Sequence, residues 1–257
     1  MNIPILTYHK VDSKFELGIT RVTPKQFEKH INFLHKEGYK SLTVSEARNL
    51  KLDDGKFICI TFDDGYENIF DYAFPILKKY NFKATVFVIS NFVGKFNTWD
   101  FGFGIKFKHL DWKELKILHD NGWEIGSHSA NHVSLILLDE EKIKFELESS
   151  KYEIEKNLGI DVKSFAPPFS RYNEKIVKLA LECGYEGIYA LTNGEKFDNV
   201  YHRFAVYTID STYSLARKIN NSKFERFKLN LINSFSEITL RINYAKIKLK
   251  NQQWKHL

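Results

Sequence analysis

Phe57-Ile58-Cys59-Ile60-Thr61-Phe62-Asp63-Asp64-Gly65 is the stretch on which the reading of this chain turns. Its first six residues form a continuous apolar run, the signature of a strand buried on both faces, and such strands belong to parallel sheets covered by helices. The run ends in two adjacent carboxylates and a glycine. Neighbouring carboxylates repel, and each is costly beside a core unless something compensates it. A divalent cation would do so; a solvated Asp-Asp-Gly turn is the plainer alternative.

Outward from this stretch, short strand-like runs alternate with helical patterns, which predicts βα units around a parallel sheet or barrel. Ile3 to Tyr8 reads as a first strand, and Pro24 opens a helix with Phe27, Ile31 and Leu34 on one face before Gly38 stops it. After the acidic pair, Glu67 to Tyr80 reads as helix, Ala84 to Ile89 as strand and Trp112 to Asn121 as helix. Trp123 to Gly126 is a short strand, Asp139 to Leu158 a long amphipathic helix, Phe165 to Phe169 an extended segment, and Glu174 to Cys183 a helix. Gly187 to Leu191 and Phe204 to Thr208 are the last strands expected. Phe92 to Leu110, rich in glycine and aromatics, reads as a long loop, a frequent place for binding residues.

Reactive groups in such folds gather at the carboxyl ends of strands. Four ends here carry suitable residues: His9; Asp63 and Asp64; His128 with His132; and Pro167-Pro168-Phe169. In His128-Ser129-Ala130-Asn131-His132 two imidazoles stand four apart, and a helical turn would put both on one face, able to share an ion.

Thr-Phe-Asp-Asp-Gly, then Ser-His-Ser-x-x-His, then Pro-Pro-Phe, in that order, resemble the polysaccharide deacetylases of carbohydrate esterase family four, over about Ile3 to Leu215. The resemblance implies an α/β fold, a distorted (β/α)7-type barrel, and one divalent metal, usually Zn²⁺, with Co²⁺, Ni²⁺ or Mn²⁺ as alternatives. Carried over by position, it implies Asp63 as general base and Asp64, His128 and His132 as metal ligands. It also implies an oxyanion donor in the backbone of Phe169, after Pro168. The family's C-terminal Leu-x-His is not visible. Tyr8-His9 instead is similar to the N-terminal Tyr-His of the poly-N-acetylglucosamine deacetylases, which implies His9 as general acid. The substrate implied is an N-acetylated, N-acetylhexosamine-containing saccharide, deacetylated with release of acetate. Where many relatives carry an arginine that orients the base, this chain has Ala166; Arg203 or Arg171 are the available substitutes, and Trp99 is placed to stack on a sugar ring. Two rival readings stay open: hydrolysis of a non-sugar amide on the same barrel, and a catalytically silent carbohydrate-binding relative.

The chain has 257 residues and a net charge of +6, with 43% hydrophobic and 27% charged residues, as for ordinary globular proteins. Eight Lys and Arg stand against Glu225 and Glu237 between Lys223 and Leu257, so the excess charge is concentrated in this tail and no basic groove for nucleic acid is expected in the main domain. A catalytic barrel over 1–220 and a tail over 221–257 follow. In the tail, Phe227, Leu231, Phe235, Ile238, Ile242, Ala245 and Leu249 recur at helical steps, giving a basic amphipathic helix. It would pack on the barrel or on a second subunit, or lie on an anionic membrane surface. Met1 to Tyr8 does not read as a secretory signal, so the expected location is the cytoplasm, with the inner face of the membrane as the place the tail would take it if it lies on lipid. Cys59 and Cys183, with no CxxC spacing, read as core thiols.

Overall fold

The computed structural model describes residues 3–14, 18–51, 55–97, 106–191, 197–222, 224–225 and 227–228. Along the chain, β1 (Ile5–Tyr8) leads into a ribbon of β2 (Lys10–Val11) and β3 (Arg21–Val22), followed by α1 (Pro24–Lys36), β4 (Lys40–Leu42), α2 (Val44–Asn49) and β5 (Phe57–Phe62). Next come α3 (Phe74–Lys79), β6 (Thr85–Val88), α4 (Trp112–Asp120), β7 (Glu124–Ser127), α5 (Glu140–Leu158) and β8 (Ser164–Phe165). The order ends with α6 (Glu174–Glu182), β9 (Gly187–Leu191), β10 (Val200–Ala205) and α7 (Thr212–Ile219). Seven parallel strands close into a barrel in the order β1-β10-β9-β8-β7-β6-β5 and back to β1, the seam being Leu6 opposite Phe204 on one side and Leu6 opposite Ile60 on the other. β4 pairs with the first half of β5.

The helices start where side chains can satisfy their first N–H groups. Thr23 accepts from Gln26 N at 3.2 Å with Pro24 as the first helical residue, while Thr43 with Glu46, and Asp111 with Glu114, form capping boxes. Phe27, Ile31 and Leu34 of α1 are fully buried against the outside of the barrel, as the spacing predicts. α2 instead closes the amino-terminal end of the barrel. Val44 and Ala47 pack with Ile5, Cys59, Phe87 and Tyr189, and Glu124 accepts from Ser45 N at 2.9 Å.

Alternation along each strand sorts what points inward. Ile5, Thr7 and then His9 share one face of β1 and its continuation; Cys59, Thr61 and then Asp63 share one face of β5. The Thr7 and Thr61 hydroxyls meet at 2.9 Å, and Arg203 of β10 donates to Thr61 Oγ1 at 3.3 Å with its guanidinium 5.1 Å from the Phe87 ring centre. Gly126 makes room for this layer: a Cβ there would lie 2.6 Å from the Phe87 ring and 3.0 Å from the Ser164 carbonyl oxygen.

Several local expectations give way. The helix expected over Glu67 to Tyr80 is a π-helical turn at Ile69–Ala73 followed by α3. The last strand among the described residues is β10, which starts several residues before the expected Phe204 to Thr208, because its register against β9 begins at Val200 opposite Ile188. Pro168–Ser170 is a tight turn rather than extended chain, since Phe169 and Ser170 adopt φ of 58° and 54°. Beyond Lys228 the basic tail lies outside the described residues, as does Trp99.

Candidate active site

The interstrand ladders run one residue past the strand ends and hold the site residues in place. Asp63 N donates to Tyr8 O at 3.0 Å, His128 N to Val88 O at 2.8 Å and Ala166 N to Ser127 O at 2.9 Å. Asp63 therefore keeps the inward alternation of β5, whereas Asp64, at φ 68°, turns away from it. That left-handed turn sends two adjacent carboxylates to different partners, which relieves their repulsion.

Asp63 meets Arg203. The guanidinium donates through Nη1 at 2.6 Å to Oδ1 and through Nη2 at 2.9 Å to Oδ2, a two-pronged ion pair with both side chains buried. Burial by itself would raise the Asp63 carboxyl, but Arg203, helped by His128 and His9, holds it at about 2. Of the two arginines that could replace the one missing at Ala166, Arg203 is the one on the carboxylate; Arg171 is half-buried just after the Pro168–Ser170 turn. Ala166 stays in the sealed interior with Phe87 and Tyr189.

Asp64 meets the imidazoles. Its Oδ1 lies 3.5 Å from His128 Nε2 and 3.4 Å from His132 Nε2, and one ligand atom from each of the three residues falls within 4.8 Å of the others. His128 Nδ1 donates to Ala166 O at 2.7 Å, which leaves the lone pair on Nε2, facing Asp64. Burial pushes the His128 imidazole down to about 4, so it is neutral near pH 7 and able to ligate. One carboxylate and two imidazoles suit a first-row divalent ion and leave coordination positions open. His128 and His132 do not sit on a helical turn. Ser129 and His132 adopt φ of 66° and 55°, and it is this bent loop, with Ser129 Oγ accepting from His132 N at 3.1 Å, that swings the second ring back to within 5.1 Å of the first.

His9 is half-buried and close enough to Asp63 to act on its charge, and its buried Nδ1 has no hydrogen-bond partner among the described residues. The Phe169 ring lies 4.6 Å from that of His132. Pro167 and Pro168 carry no N–H, so Phe169 supplies the first backbone donor of this turn. His109, which sequence reasoning passed over, donates from Nδ1 to Asp64 O at 2.8 Å; with Leu110 N on Gly65 O at 2.8 Å it anchors the aromatic loop to the acidic turn. Glu146 was missed as well. Its mark in the sequence is a carboxylate beside Ile143 and Leu147 on the face of α5 that is otherwise apolar.

Residues 51–188 match the family model described as polysaccharide deacetylase, more than half of the chain. The chain belongs to the polysaccharide deacetylase family. A putative polysaccharide deacetylase of Bacillus subtilis, YxkH, is 34% identical over 188 residues, 72% of this chain; the chain spans only 62% of that relative. The poly-beta-1,6-N-acetyl-D-glucosamine N-deacetylase of Staphylococcus aureus is 32% identical over 213 residues, 70% of each protein. Among solved structures, the Streptococcus pyogenes deacetylase PplD in complex with acetate superposes with a TM-score of 0.73 at 25% identity, covering 84% of this chain and 97% of that one. IcaB from Ammonifex degensii, at 22% identity and a TM-score of 0.72 over 84% of this chain and 96% of that one, shares the fold. The seven-stranded barrel is thus the polysaccharide deacetylase barrel, and the site at its carboxyl rim lies where reactive groups of such barrels gather.

Proposed function

We propose that this polysaccharide deacetylase hydrolyses the N-acetyl group of an N-acetylhexosamine-containing saccharide, a polymer of N-acetylglucosamine being the substrate class best supported, and releases acetate with the aid of one divalent cation, Zn²⁺ first among the candidates. The observation that carries the reading is the splitting of the acidic pair: Asp64 faces His128 and His132 at 3.5 and 3.4 Å while Asp63, next to it, is held off by Arg203. The relative that acts on poly-beta-1,6-N-acetyl-D-glucosamine and the structural neighbour with bound acetate support the substrate and the product.

Asp64, His128 and His132 would hold the cation, which when bound supplies Lewis-acid polarisation of the amide carbonyl. Asp63, ionised throughout the working pH range, accepts the proton of the water that attacks the acetyl carbon. Arg203 fixes both carboxylate oxygens, so the base presents one geometry to that water. The Phe169 N–H, the first backbone donor after Pro167 and Pro168, would donate to the oxygen on which negative charge develops. As the C–N bond breaks, His9 delivers a proton to the leaving amine, and acetate and the free amino sugar result.

Asp63→Asn should abolish acetate release while leaving about one metal ion per chain, and Asp64→Ala should lose the metal. Full activity in both variants would refute the roles. Release of acetate from oligomers of N-acetylglucosamine but not from simple amides separates the saccharide reading from the amidase one; binding without release in the presence of added Zn²⁺ would point to a silent carbohydrate-binding protein.

A contact with anionic membrane surface is favoured by what leads into the basic tail. Tyr213 and Phe227 are 70% and 66% exposed, and Arg217 lies over Phe224 at 4.1 Å, an aromatic and cationic surface of the kind that settles at lipid headgroups. Equal binding of full-length and tail-deleted protein to anionic vesicles at low salt would exclude it.

A further inference from the structure

α5 passes behind the loop that joins the two imidazoles, and its Glu146 is only 5% exposed. A carboxylate so enclosed requires compensation. It finds it in three N–H groups that all belong to this loop: Ala130 N at 3.0 Å and Asn131 N at 2.9 Å donate to Oε2, and Asn131 Nδ2 donates to Oε1 at 2.7 Å. The outer side of the loop is tied to the neighbouring strand end, where Asn91 N donates to Ala130 O at 3.1 Å and Asn91 Nδ2 to Asn131 Oδ1 at 2.9 Å. Both backbone donors lie between His128 and His132, and the residues flanking them, Ser129 and His132, are the ones with φ of 66° and 55°. Residues with side chains keep such conformations only where the surroundings over-determine them.

We infer that Glu146 is a positioning residue of the metal centre: its carboxylate clamps the Ala130–Asn131 backbone, holds the loop in its left-handed bend, and so sets the approach of both Nε2 atoms to Asp64 and the affinity for the cation. This rests on the three-ligand centre proposed above. Glu146 touches no ligand, so its effect travels through the main chain. One oxygen takes both backbone N–H groups, which is why an amide can stand in for the acid: a glutamine keeps an acceptor at that point and loses only the contact to the Asn131 side chain. Leucine keeps the bulk and strands both donors. Aspartate keeps the charge but withdraws it by one methylene.

The test is Zn²⁺ competition against a chromophoric chelator, together with the visible spectrum of the Co²⁺ form, on wild type, Glu146→Leu, Glu146→Asp, Glu146→Gln and Asp64→Ala, with far-ultraviolet circular dichroism of each metal-free protein as the check on folding. Glu146→Leu and Glu146→Asp should bind Zn²⁺ about 10- to 100-fold more weakly, as loss of an outer partner of a metal site typically does, and should change the Co²⁺ absorption. Glu146→Gln should stay close to wild type in both. If Glu146→Leu does not fold, the contrast of Asp with Gln decides. Wild-type affinity and an unchanged Co²⁺ spectrum in Glu146→Asp, with Asp64→Ala unable to bind, would overturn the positioning role and leave the centre standing. Absence of Zn²⁺ binding by the wild type would overturn both.

Discussion

Replacing Arg203 by methionine keeps much of its bulk and removes the charge that faces Asp63. The ion pair is two-pronged, at 2.6 and 2.9 Å, with the arginine side chain fully buried and the aspartate 6% exposed. Removing one partner of such a pair leaves an uncompensated buried charge and costs about 3–5 kcal/mol. At about 1.4 kcal/mol per pKa unit, that loss moves the Asp63 carboxyl upward by roughly two to four units, to somewhere around pH 4–6. In the wild type the folded pKa, about 2, lies below the unfolded value, so the stability Asp63 contributes is complete above about pH 4 and is lost as the pH falls through 2. In the variant the folded pKa lies above the unfolded one, and the sign reverses: stability declines as the pH rises through roughly 4–6. Urea denaturation of the metal-free proteins between pH 4 and 8 reads this slope directly. In parallel, kcat/KM for acetate release with metal at saturation should acquire an acid limb near pH 5 that the wild type lacks. Arg203→Lys, which retains charge without the fork, should fall between the two. A methionine variant with the stability slope and acid limb of the wild type would refute the claim that Arg203 sets the ionisation of Asp63.

Three further outcomes follow from the same geometry. His9→Gln should lower turnover on N-acetyl saccharides by about 10²- to 10⁴-fold while leaving cleavage of 4-nitrophenyl acetate, whose leaving group needs no proton, nearly unchanged; an equal loss on both substrates would remove His9 from the role of acid. Gly126→Ala would drive a methyl to within 2.6 Å of the Phe87 ring, and should destabilise the protein by about 1–3 kcal/mol, seen as a lower urea midpoint with an unchanged slope. Burial holds the His30 imidazole down to about 4, with its Nδ1 3.2 Å from the Tyr8 hydroxyl and its Nε2 3.0 Å from Asp210 O. Because the unfolded chain takes up the proton first, this group costs up to roughly 3 kcal/mol of stability as the pH falls from 6.5 to 4, and His30→Gln should flatten the corresponding part of the metal-free stability curve.

Much of the barrel could be read in the sequence because the strands that build it are short apolar runs ended by glycine or by charge. β5 is recognisable from end to end, and β6, β7 and β9 fall within a residue or so of where they were expected. β4 and α2 were missed: three residues with only Leu42 apolar, followed by a helix of six, carry too little periodicity, and their role as a stopper depends on Glu124 and Tyr189, far away in the chain. The residues expected at the rim do assemble there, since alternation along β1 and β5 and the ends of β7 and β8 fix their direction. How they assemble was less legible. Spacing of four suggested a helical turn for His128 and His132, but Ser129, Glu146 and Asn91 bond the loop into a different bend that reaches the same convergence. The choice between Arg203 and Arg171 needed the closure of the barrel, because only the seating of β10 beside β1 brings residue 203 over residue 63.

That seam has a consequence for how the protein comes into being. Among the described residues, the strand that carries Arg203 is the last in the sequence, and it pairs with the first. In the order of synthesis Asp64, His128 and His132 all precede Arg203, so for part of that time the chain carries its proposed ligands without the counter-charge of Asp63. The partner of Asp63 thus follows every proposed ligand in the sequence, and a fragment cut to the stretch matched by the family model, 51–188, would lack both His9 and Arg203.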